Sequence, residues 1–156
     1  MNESNLEGYS VLLCFENKQI SKPVKQFFNQ QKVQQVTFAF NNGEAAAHMN
    51  KHQFNLFIID DDFPTLGGTE FSRFIRLCNG DMSEAPIIMY MGEPSLNKVK
   101  IAINAGINEI LGPPFTVSSL KKYVERVTRK PRPFIRTEHY IGPARLGSDD
   151  LDYLSA

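Results

Sequence analysis

Tryptophan is missing from the 156 residues, and cysteine is scarce, with only Cys14 and Cys78. Both thiols sit inside apolar patterns, so they are expected to be reduced core side chains rather than a disulfide or a metal-binding pair. Histidine occurs three times, at His48, His52 and His139. Their spacing matches no metal-ligand pattern, and surface or helix-end positions are expected. An excess of one charge is missing too, since Lys plus Arg and Asp plus Glu both number 17. That balance gives no electrostatic case for nucleic acid or an anionic membrane as partner. No apolar run approaches the roughly 20 residues of a membrane span, and Met1–Tyr9 is polar, without a signal-peptide core. The expectation is a cytoplasmic protein. Apolar residues make up 42% and charged residues 22%, enough to close one hydrophobic core.

Within that core, short apolar runs alternate with helical periodicity. Val11–Phe15, Val36–Phe40, Leu56–Asp60, Pro86–Met91 and Asn108–Leu111 read as strands, and the all-apolar ones imply cover on both faces. Between them, Ile20, Val24, Phe27 and Phe28 recur at helical spacing, with Pro23 expected in or near the first turn. Glu44–His52 is an alanine-rich helix after the Asn41-Asn42-Gly43 turn. Phe71, Phe74, Ile75 and Cys78 mark a third helix, and Val99, Ala102 and Ile103 a fourth, closed by Gly106. Leu120, Tyr123, Val124 and Val127 mark a fifth, capped by Thr116 or Ser118. Such alternation predicts an α/β fold with a parallel sheet and helices on both faces. In such folds the site lies beyond the carboxyl ends of the strands.

One stretch places charge at that edge. In LFIIDDDFPTLGG, Leu56–Gly68, a buried strand runs straight into three aspartates. Asp60 with Phe63-Pro64 and Gly68, NNGEAAA at 41–47, APIIMYMGE at 85–93 and AGINEILGPPF at 105–115 occur in a fixed order and spacing. Together they resemble the receiver domain of bacterial two-component response regulators over residues 9–128. The resemblance implies a flavodoxin-like (βα)5 fold with a five-stranded parallel sheet, and a role in phosphorelay signal transduction. It makes Asp60 the candidate acceptor of a phosphoryl group from a histidine kinase.

The same resemblance shows what the chain lacks. The family holds a metal ion with an acid pair after strand one, the acceptor aspartate and a carbonyl two residues later; here these are Phe15-Glu16, Asp60 and Asp62. Glu16, Asp60 and Asp62 are thus a weak candidate Mg²⁺ site, and no cofactor is expected to be required. The family's hydroxyl donor aligns with Met91, its lysine with Pro113 and its aromatic switch residue with Ile110. A thioether donates no hydrogen bond, and proline has neither charge nor N–H. Pro114 falls at a junction that is cis in the family, so a cis Pro113–Pro114 bond is expected. Crowded acids without that lysine predict an abnormally titrating Asp60, relieved by a weakly held metal or a stand-in cation such as Lys18; the alternative reading is that Asp61 and Asp62 simply point into solvent.

The expected function is that of a single-domain, atypical pseudo-receiver. It acts by binding a protein partner (a histidine kinase or a downstream signalling protein), is not an enzyme, and has phosphorylation weak or lost. A receiver phosphorylated on Asp60 is the alternative. A metal-dependent aspartyl phosphohydrolase is a remote one, because its Asp-x-Asp motif follows the first strand of its domain rather than the third. Lys98, Lys100, Lys121 and Lys122 read as solvated helix faces, on the surface receivers commonly use for partners. Residues 129–156 are expected to form a C-terminal extension, too short for a DNA-binding or enzymatic output domain. Within it, Phe134, Tyr140 and Arg136 are candidate anchors of an interaction arm that packs on its own domain or on a second copy in a homodimer.

Overall fold

The computed structural model describes residues 6–113 and 116–145. Five strands form one parallel sheet in the order β2-β1-β3-β4-β5, from β1 (Ser10–Cys14), β2 (Gln35–Ala39), β3 (Leu56–Asp60), β4 (Ile87–Tyr90) and β5 (Glu109–Leu111). Five helices connect and follow them: α1 (Lys18–Asn29), α2 (Asn42–Lys51), α3 (Gly68–Leu77), α4 (Leu96–Asn104) and α5 (Val117–Arg129). This is the flavodoxin-like order, with its switch point between β1 and β3.

All five residues of β1 and all five of β3 are buried. Their side chains alternate between two cores, as the period of two demands. Leu12, Cys14, Phe57 and Ile59 face a core with Phe71, Ile75 and Ala102 from α3 and α4. Val11, Leu13, Leu56 and Ile58 face the other, with Val24, Phe28, Leu120 and Val124 from α1 and α5. Four of the five helices open on a side-chain cap. Asn17, Asn41, Ser95 and Thr116 accept backbone N–H groups of the first turns of α1, α2, α4 and α5.

Pro23 departs from expectation. It is the sixth residue of α1 and lies inside the helix. Asn17 starts the helix upstream by accepting the Gln19 N–H, so Pro23 falls in the second turn. The bond it cannot make would have gone to Gln19, an exposed residue whose carbonyl water can reach.

After α5 the chain turns back and forms an antiparallel pair, β6 (Phe134–Arg136) with β7 (Ile141–Pro143). The pair packs on its own domain, at the amino-terminal edge of β4 and β5. Arg76, in the last turn of α3, organises the contact while only 2% exposed. Its Nε and Nη2 donate to the Gly106 carbonyl, its Nη1 to the Ser83 and Ala85 carbonyls, and its Nη2 also to Asn108 Oδ1. The Phe134 ring lies 5.2 Å from the guanidinium carbon. Burial lowers the Arg76 pKa to about 10, with the Arg136 charge acting in the same direction. Arg132 donates to the Asn108 carbonyl, and Arg136 donates to Ser83 Oγ and pairs with Glu84. Gly106, in the left-handed region at φ +93°, closes α4, and a side chain there would meet the Ile141 carbonyl at 2.3 Å.

Arg76→Ala leaves the Gly106, Ser83 and Ala85 carbonyls without their donor in a buried site, while Asn108 Oδ1 keeps the Ile87 N–H. A loss of about 3 kcal/mol is expected from unfolding in urea, since each orphaned buried acceptor costs about 1–3 kcal/mol. Truncation after Lys130 is expected to lower the melting temperature, because it uncovers Arg76 and removes the Arg132 and Arg136 bonds.

Candidate functional site

The carboxyl edge of the sheet carries Asp60 as the last residue of β3, 8% exposed and next to the switch point. The turn after it is fixed by backbone bonds. Asp61 N–H donates to the Tyr90 carbonyl, Phe63 N–H to the Asp60 carbonyl, and Gly68 N–H to the Asp61 carbonyl. Phe63, fully buried, anchors the turn in the core. Gly68 is required by contact, because a Cβ at that position would lie 2.3 Å from the Asp60 carbonyl oxygen. The start of α3 therefore lies directly against the backbone of the acid-bearing strand end.

Asp60 Oδ1 accepts the Asp62 N–H at 3.0 Å. Its pKa is nevertheless raised, first by burial and then by the charges of Asp62, Asp61 and Glu16; the Asp62 bond only partly opposes them. Asp61 is raised as well, by burial and Asp62. The abnormal titration expected of Asp60 is present in direction. The cation beside the acid triplet is Lys98, not Lys18, and it lowers Asp61 rather than Asp60. Lys98 Nζ lies 3.8 Å from Asp61 Oδ2, whereas Lys18 lies over the Phe40 ring. Ser95 caps α4 three residues before Lys98, so this lysine leaves the helix at its acid-facing start. Asp61 accordingly does not simply point to solvent, whereas Asp62 is exposed.

The other aligned positions, Glu16 apart, lie on or just beyond β1, β4 and β5 and carry apolar side chains. Phe15 is buried, its ring 6.3 Å from that of Tyr90. Met91 is fully buried, Ile110 packs against the same core, and Pro113 is exposed. Glu16 is exposed and acts on Asp60 through its charge. Among the described residues no group of three His, Cys, Asp or Glu is arranged to hold a metal ion. The expected cis bond at Pro113–Pro114 involves Pro114, which lies outside the described residues.

Two residues of consequence were not anticipated from sequence. Lys98 read as solvated, and its placement follows only from the length of the turn after β4. Arg76 shares the buried face of α3 with Ser72 and Ile75. A basic residue at core spacing was the available signal, and it marks a charge that must find buried acceptors.

Comparison with known proteins agrees with this geometry. The response regulator receiver domain family matches residues 11–125, and the chain belongs to that family, the receivers of two-component signalling. It is 26% identical to the chemotaxis response regulator CheY4 of Vibrio cholerae, at a TM-score of 0.70, covering 78% of this chain and 99% of that one. The receiver domain of a Francisella response regulator superposes at a TM-score of 0.69 with 22% identity, covering 80% of this chain and all of that one. Among curated proteins, the transcriptional regulatory protein CrdR of Helicobacter pylori is 27% identical over 116 residues. The CAI-1 autoinducer sensor kinase/phosphatase CqsS of Vibrio cholerae is 25% identical over 103. The matches cover 74% and 66% of this chain but only 53% and 15% of those two proteins. Among the described residues no helix is long and apolar enough to cross a membrane.

The raised pKa values carry a sign. An acid whose folded pKa exceeds its unfolded value keeps its proton longer in the folded state, so stability falls as pH rises from the unfolded pKa through the folded one. Asp60→Asn keeps the acceptor for the Asp62 N–H and removes the buried charge. The variant is expected to melt a few degrees higher than the wild type at pH 7. Thermal unfolding followed from pH 4 to pH 7 should show the difference shrinking as pH falls.

Proposed function

We propose that this chain is an atypical receiver that acts by binding other signalling proteins, with phosphoryl transfer to Asp60 weak or lost. The observation carrying the reading is the company Asp60 keeps. Phe15 and Met91, both buried and apolar, hold positions that the family resemblance gives to a metal-binding acid and a hydroxyl donor. Pro113 holds the position of the lysine. Transfer brings an anionic nucleophile to an anionic donor, and preorganised positive charge and hydrogen-bond donors lower that barrier. Removing one such group commonly costs about 10²–10³ in rate. Losing two, even without full additivity, leaves transfer orders of magnitude slower. The partner is a protein, a histidine kinase or a downstream signalling protein, and Asp60 takes no enzymatic turnover.

A second reading, a working receiver phosphorylated on Asp60, has one observation in its favour. Lys98 brings an ammonium to within 3.8 Å of the neighbouring Asp61, so some positive charge is available at the strand end. The hydrolase reading has no observation in its favour, since the acid triplet follows the third strand.

Incubation with acetyl phosphate and Mg²⁺ separates the two. Little or no gain of a phosphoryl mass on the intact protein is expected, and Asp60→Asn is expected to leave partner binding largely unchanged. Rapid Mg²⁺-dependent labelling that disappears in Asp60→Asn would promote the working receiver.

A further inference from the structure

A groove of about 590 Å³ runs between α4, β5, α5 and the folded-back arm, within the roughly 300–1,000 Å³ of clefts that hold ligands. Its apolar lining includes Val99, Ile103 and Ile110. Four basic side chains, Arg126, Lys130, Arg132 and Arg145, line it against one acid, Glu109. Arg126 is committed to Glu109 at 3.0 Å. Arg132 spends its donors on the Asn108 and Ala144 carbonyls, which neutralise no charge. Arg145 donates to Asn104 Oδ1 and lies 4.0 Å above the Tyr140 ring, and its buried Nε has no hydrogen-bond partner among the described residues. The groove is thus a positive cleft with an apolar lining, and all of its basic side chains but Arg126 follow α5.

The sequence that follows Arg145 is LGSDDLDYLSA. It carries Asp149, Asp150 and Asp152, no lysine or arginine, and Leu151, Tyr153 and Leu154 among the acids. We propose that residues 146–156 of this chain dock in the groove between α4, β5, α5 and the arm, and so compete there with any protein partner. Three observations select this occupant. Charge is complementary, with three carboxylates for the side chains that Glu109 leaves unneutralised. Apolar residues alternate with the acids, matching a cleft that mixes both. The segment begins at Arg145, itself a lining residue, and its extended reach of roughly 36 Å exceeds what is needed to enter. A tether this short gives an effective concentration on the order of millimolar, so weak contacts suffice.

A spin label tests this on the full chain. It is placed on Ser155→Cys in a Cys78→Ser background, with the buried Cys14 left unlabelled. Amide resonances of Val99, Ile103, Ile110 and Val127 are expected to lose most of their intensity, while those of Lys25 and Ala47 on α1 and α2 keep theirs. Adding Asp149→Asn, Asp150→Asn and Asp152→Asn, which touch no described contact, is expected to restore the groove signals, as is 1 M salt. Uniform loss, loss centred elsewhere, or no loss would overturn the proposal. So would loss that persists undiminished when isotope-labelled, label-free chains are mixed with spin-labelled, isotope-free ones, since the occupant would then be a second copy. Phosphorylation of Asp60 enters none of these readouts, so the outcome is independent of the function proposed above.

Discussion

A strand sealed from water on both faces cannot carry its own chemistry; it can only deliver a residue to its end. That constraint governs this receiver. β3 is apolar until Asp60, and every residue before it is buried, so the first charge appears where the helices no longer cover the sheet. The neighbouring turn is then held against that end by Phe63 in the core and by the contact that excludes any side chain at Gly68. The position of Asp60 is a product of hydrophobic burial, and it persists whether or not the groups that would use it are present. A fold of this kind fixes the place of a strand-end acid independently of the side chains on the neighbouring strands.

The opposite edge of the sheet follows a different logic. There a single buried guanidinium satisfies carbonyls from the 3₁₀ turn (Asp81–Glu84 and the adjoining Ala85) and from the turn after α4. Among the described residues Arg76 binds no carboxylate directly, and its charge is spread over carbonyl dipoles and the Phe134 ring. Arginine suits this role because its planar fork offers five donors in fixed directions. Each arm arginine then closes on a different element, Arg132 on the start of β5, Arg136 on the 3₁₀ turn and Arg145 on the end of α4.

The sheet, its helices and the place of Asp60 were legible because they rest on local signals: short apolar runs, capping side chains and a strand that stops at an acid. The electrostatic partners were not. Lys98 looks like any other lysine on an exposed helix, and only the path of the turn between β4 and α4 brings it to Asp61. Lys18, nearer in sequence to the first strand end, found an aromatic ring instead. Pro23 was misplaced because a cap upstream, Asn17, set the helix start, and local propensity gave way to it. The arm's apolar anchors were visible at Phe134 and Tyr140, but its paired strands were not, because three-residue strands carry too little periodicity. Arg76 was hidden for a related reason: its acceptors are backbone carbonyls, which every residue has.

Gly106 and Gly142 meet backbone to backbone. A side chain on Gly142 would come within 2.6 Å of the Gly106 Cα, and one on Gly106 would strike the Ile141 carbonyl. The two glycines work as lock and key, each legible only in the presence of the other. An arm of this design is therefore not a freely portable module: grafted onto another receiver, it would seat only where the turn after α4 also carries glycine. A chain that changed either residue would have to reshape both the turn and the arm, although 35 residues lie between the two glycines.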